Sequence, residues 1–112
     1  MAATLAAAPL AAPTSATPIG PLPSGPTSVI QTQKGELVAV SLPNRANGRV
    51  WRIARAFNAG VIAQVGEADV GTTVVLVFKA TGTGTTTLSF GLTRGDTGRK
   101  AFESRRFQVH VR

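Results

Sequence analysis

From Val29 to the C-terminus, no stretch sets apolar residues at i, i+3, i+4 and i+7 over a helical length; apolar and polar residues instead alternate over short runs. Alternation puts every second side chain on one face, so this part of the chain is committed to sheets. Residues 37–42 place Val38, Val40 and Leu42 on one face, and Pro43, which has no amide to donate to a ladder, closes the run. Residues 50–54 point Trp51 and Ile53 inward, with Arg52 and Arg55 outward. Residues 72–79 form the strongest run: Val74, Leu76 and Phe78 alternate with Thr73, Val75 and Val77, and two apolar faces predict a central strand. Residues 85–92 offer Leu88, Phe90 and Leu92, and residues 105–111 offer Phe107, Val109 and Val111.

Shorter runs at 29–32 and 61–65 bring the predicted strands to seven. Between them lie a turn at 33–36, a loop at 44–49, a turn at 57–60, a second loop at 66–71, a glycine-bearing connection between neighbouring strands at 80–84, and a long polar loop at 93–104. Short strands with turns at regular spacing predict an all-β, immunoglobulin-like sandwich. Its expected core is Val40, Trp51, Leu76, Phe78, Leu88, Phe90, Phe107 and Val109, with Trp51 filling the centre. No cysteine is present, which excludes an inter-sheet disulfide, a thiolate zinc site and a cysteine nucleophile.

Residues 1–28 are of another kind. They hold Pro9, Pro13, Pro18, Pro21, Pro23 and Pro26, six of the seven prolines, among Ala, Thr, Ser and Gly. Such spacing forbids a long helix or a central strand and predicts an extended, polyproline-like arm, leaving residues 29–112 as the folded domain. Residues 2–12 are apolar, but they lack a basic start and contain Pro9, which argues against an export signal. No apolar run reaches the roughly twenty residues that a membrane-spanning helix needs.

The net charge is +7, and the first charged residue is Lys34, so all of it falls on the predicted domain. That balance favours acidic partner surfaces. Arg99, Lys100, Arg105 and Arg106 form the densest basic group. The arginines are otherwise scattered, without the interleaved aromatics of a nucleic-acid platform. His110 alternates outward beside Val109 and Val111, and Glu67 with Asp69 offers too few oxygens for a calcium site. Arg94-Gly95-Asp96 matches the integrin tripeptide within a polar loop, and a plain turn accounts for it. Nothing resembles a nucleophile elbow or a phosphate-cradling loop, so no catalytic residue, cofactor or metal is expected.

Several segments together resemble the chagasin-like inhibitors of papain-type cysteine proteases. They are GELVAVSLP at 35–43, then Asn44, Gly48 and Trp51, then VVLVFKATGTGTTTLSF at 74–90, then Arg94, and finally ESRRFQVHV at 103–111. The resemblance spans the predicted domain and none of the arm. It implies an immunoglobulin-like sandwich whose three loops at one end form a wedge that occludes a protease cleft. The loops depart from the family pattern. Asn44-Arg45-Ala46-Asn47-Gly48 stands for Asn-Pro-Thr-Thr-Gly, the run from Gly66 to Gly71 brings two acids into a glycine-rich loop, and Arg94-Gly95-Asp96 replaces Arg-Pro-Trp.

Two functional expectations follow, neither of them enzymatic. The altered loops, the arm and the charge point first to a structural interaction module, a virion decoration or cement-type protein. It would be made in the cytoplasm and anchored to capsid or other assembly subunits through Leu5, Leu10, Ile19, Leu22 and Pro23 of the arm. The alternative, implied by the resemblance, is a secreted or periplasmic reversible inhibitor of papain-like proteases. Its contact loops would carry Asn44, Arg45, Asn47, Gly48, Gly66, Gly71, Arg94 and Asp96.

Overall fold

The computed structural model describes residues 17–112, which form an all-β sandwich. The strands are β1 (Thr27–Thr32), β2 (Leu37–Pro43), β3 (Arg49–Ile53), β4 (Ile62–Val70), β5 (Thr73–Ala80), β6 (Gly84–Arg94) and β7 (Glu103–Val111), with one turn of 3-10 helix at Gly95–Thr97. One sheet runs β1-β7-β6-β3 and the other β2-β5-β4. All pairings are antiparallel except β1 with β7. The expected central run is the middle strand of the smaller sheet.

The core lies between the sheets, built from the alternating sets of the sequence. Val38, Val40 and Leu42 of β2 and Leu76 and Phe78 of β5 meet Leu88 and Phe90 of β6 and Val109 of β7, all buried. Phe57, Phe78, Phe90 and Phe107 follow one another edge to face, with ring centroids 6.1, 6.5 and 5.8 Å apart. Phe57 was expected in a turn, yet it is 3% exposed and closes the far end of the core. Trp51 and Phe107 are half-buried, so Trp51 does not fill the centre. It pairs with Leu92 near the end of β6, and its indole Nε1 donates to the Pro43 carbonyl at 2.8 Å. A buried indole N–H needs an acceptor, and this one lies at the rim.

Three further expectations are corrected. Residues 66–70 are strand, not loop: β4 pairs with β5 as far as Val70 opposite Thr73, and only Gly71 and Thr72 turn. The register shifts between Gln64 and Gly66, leaving Val65 as an extra, exposed residue. The connection at 80–84 joins β5 to β6, strands of opposite sheets rather than neighbours. Residues 17–26, expected as part of an extended arm that anchors to a partner, pack on the outer face of the larger sheet. Ile19 is buried and Leu22 and Pro23 are half-buried there, while Leu5 and Leu10 lie outside the described residues.

The cover explains β6, whose residues 88–93 are buried on both faces. Ser89, Gly91 and Thr93 share that outer face; Gly91 lies beneath the strap formed by residues 17–26, and Thr93 lies against the connection that follows β6, at Gly95 and Gly98. A Cβ on Gly91 would lie 3.2 Å from Leu22 Cδ2 and 3.4 Å from Ile19 Cδ1, so the missing side chain makes the hollow that these residues fill. The Ser104 hydroxyl donates to the Pro23 carbonyl at 2.6 Å, and the Arg106 amide to that of Pro26 at 3.0 Å. From there the chain enters β1 along β7.

Candidate functional site

The strand directions bring three connections to one end of the sandwich: 44–48 between β2 and β3, Gly71 with Thr72 between β4 and β5, and 95–102 between β6 and β7. Backbone hydrogen bonds join them. The Asn44 amide donates to the Thr72 carbonyl at 2.8 Å, and the Gly95 amide donates to the Gly48 carbonyl at 3.0 Å. The first loop is therefore tied to both of the others.

Side chains reinforce the joint. Arg45 donates from Nε and Nη2 to the two carboxylate oxygens of Glu103, each at 2.9 Å. This bond from Arg45 holds the Glu103 carboxyl below its usual range against a small opposing effect of burial, and the same bond raises Arg45. The Arg49 guanidinium lies 4.0 Å from the centre of the Phe102 ring, and Lys100 Nζ lies 5.5 Å from it. Arg105 lies 5.9 Å from the Trp51 ring. The Thr93 hydroxyl donates to the Gly95 carbonyl at 2.8 Å, turning the chain at the end of β6.

Local sequence shapes the tips. Asn47 and Gly48 are both left-handed, with φ of 68° and 72°, a conformation that Asn tolerates and Gly adopts freely. Gly71 at φ 61° makes the second tip tight enough for a short turn. The surface presented is small and open: Ala46, Asn47 and Gly48 are exposed, as are Gly71 and Thr72, and Val70 is 60% exposed beside them. Behind the tips, a cleft of about 200 Å³ opens between the sheets, lined by Asn44, Arg49, Val50, Trp51, Glu67, Asp69 and Val74. The bulge in β4 directs Glu67 and Asp69 to this side, since they stand opposite Leu76 and Val74.

The structure gathers most of the expected contact residues here. Asn44, Arg45, Asn47 and Gly48 lie in the first loop, Gly71 at the second tip, Arg94 at the end of β6 and Asp96 at the start of the third loop. Gly66 instead lies within β4, next to the bulge. The basic group is divided: Arg99 and Lys100 are exposed in the third loop, whereas Arg105 and Arg106 are consecutive on β7 and point to opposite faces. Arg52 points outward from β3 as expected, yet it is only 8% exposed, covered by the strap and the third loop. His110 Nδ1 meets the Thr85 hydroxyl at 3.1 Å across β6 and β7, as a plain strand residue does. Among the described residues, no three His, Cys, Asp or Glu side chains gather to hold a metal.

Phe102, Arg49 and Glu103 belong to this end and were not singled out from the sequence. The available signal was the aromatic inside an otherwise polar loop.

No protein-family model and no curated protein matches the chain. Among solved structures it is similar to the cysteine protease inhibitor EhICP2 from Entamoeba histolytica, at 18% identity and a TM-score of 0.58, over 80% of this chain and 99% of that one. The chain thus has the expected chagasin-like, immunoglobulin-type scaffold.

Proposed function

We propose that this protein is a non-catalytic, reversible inhibitor of papain-type cysteine proteases, and that the joined loop end is its recognition surface. The observation that carries the reading is the convergence of the three loops, tied by the Asn44–Thr72 and Gly48–Gly95 hydrogen bonds. Rigid, small-residue tips enter a narrow cleft at little entropic cost, because the loops are ordered before binding. Ala46, Gly48 and Gly71 supply such tips. The scaffold's likeness to a solved cysteine protease inhibitor supports the same reading.

The wedge would block a substrate cleft rather than offer a scissile bond, so inhibition is competitive and leaves the chain uncut. Cationic residues at this end, Arg94 at the end of β6 with Arg99 and Lys100 on the third loop, favour proteases with acidic cleft margins. The virion-decoration reading draws less support. Of its anchor residues, Ile19, Leu22 and Pro23 are occupied by the protein's own sheet.

A papain assay with a small peptide substrate tests the proposal. Competitive inhibition with a constant between about 1 nM and 1 µM is the expected result. Ala46→Trp, which enlarges the first tip, should weaken it on the order of a hundredfold, about 2.7 kcal/mol. Absence of inhibition by the wild-type chain overturns the reading.

A further inference from the structure

We propose that the strap of residues 17–26 positions the third loop through Arg52, so that a segment on the outer face of the larger sheet sets the shape of the recognition end. Arg52 leaves β3 on that face opposite Gly91 and is 8% exposed. Its guanidinium donates to carbonyls of two different segments. Nη1 reaches the Asp96 carbonyl, and Nη2 reaches those of Gly98 at 3.1 Å and Thr17 at 2.6 Å. A buried charge must find its hydrogen-bond partners inside the protein, and the strap and the third loop supply them. Arg52 Nε finds none among the described residues, so the other contacts carry the whole requirement.

A second link bypasses Arg52. The Gly20 amide donates to the Arg99 carbonyl at 2.8 Å, while Arg55 donates to the carbonyls of Ile19 at 3.1 Å and Gly20 at 3.0 Å. Three carbonyls of the third loop, at positions 96, 98 and 99, are thus held from the strap side. On the other side, that loop meets the first loop through the Gly95–Gly48 bond. Ile19 and Leu22 seat the strap in the hollow above Gly91, the residue opposite Arg52 on β6. Displacing the strap hydrates Arg52, removes the Thr17 and Gly20 contacts and frees the third loop. Arg52 is therefore a positioning residue, acting on the partner only through the loop.

This inference rests on reading the loop end as the recognition surface, and its test separates the two. Amide hydrogen exchange is measured on the full chain and on full-length I19D/L22D, R52A and R52K, alongside papain inhibition. In I19D/L22D and R52A, exchange across residues 95–102 should accelerate at least tenfold while β2 and β5 keep their protection. R52K, which keeps the charge but loses the fork, should fall between them and wild type. Inhibition should weaken by a similar factor through faster dissociation. Unchanged exchange at 95–102 in I19D/L22D, with residues 17–26 deprotected, overturns the positioning role. If I19D/L22D and R52A unfold, R52K decides: wild-type exchange and inhibition there overturn the inference. If wild type does not inhibit papain, the functional reading fails, and exchange alone still decides the coupling.

Discussion

Arg45 and Glu103, 58 residues apart in the chain, meet through two parallel 2.9 Å hydrogen bonds that join the first loop to the start of β7. The bond lowers the Glu103 carboxyl, so the pairing contributes above the ordinary glutamate range, about 4.3, and is lost as pH falls through the lowered folded value. Arg45 is raised, so its contribution disappears only in strong alkali. Both groups are largely hydrated, which keeps the effect small. The carboxyl carbon resonance of Glu103 should titrate below the ordinary glutamate range. In Arg45→Ala the midpoint should move upward, and the backbone shifts of residues 44–48 should lose their acid transition.

Trp51 ties the rim of the core to the end of β2. In Trp51→Phe much of the apolar contact survives, but the Pro43 carbonyl loses its donor at 2.8 Å. Leaving a half-buried acceptor unpaired costs about 1–3 kcal/mol, to be read from denaturant unfolding. Phe78→Ala, which opens a cavity at a fully buried ring, should cost more, about 3–5 kcal/mol.

Val70 tests the wedge without testing the fold. It is 60% exposed at the end of β4, next to the Gly71 turn. Val70→Glu should change stability by no more than about 0.5 kcal/mol. Papain inhibition should weaken on the order of tenfold, about 1.4 kcal/mol, because a charge is forced into the contact.

Alternation made most of the fold legible, since β2, β5, β6 and β7 each bury one face against the opposite sheet. It failed in β4 beyond Gly66 for a physical reason. This is an edge strand with a bulge, so its residues 67–70 are exposed and carry no apolar phase. Trp51 lies on the expected face but nearer the rim than the centre, because phase says nothing about position along a strand. Arg52 does point out of the sandwich, and the strap and the third loop together bury it there. One trace of that cover was present in the chain: Ser89, Gly91 and Thr93 are small where an uncovered face would carry larger polar residues. The meeting of the three loops was legible only through the family resemblance, since no local pattern encodes which ends of strands come together.

Contact between the protease and the loops at one end of the sandwich is read most directly from an amide-exchange footprint of the complex with papain. Protection should appear at 44–48, 70–73 and 95–102, while the opposite end, at 33–36, 54–61 and 81–83, keeps its free-state exchange. Protection confined to the opposite end or to the strap, or no protection with papain in excess, would mean that the loop end is not the recognition surface.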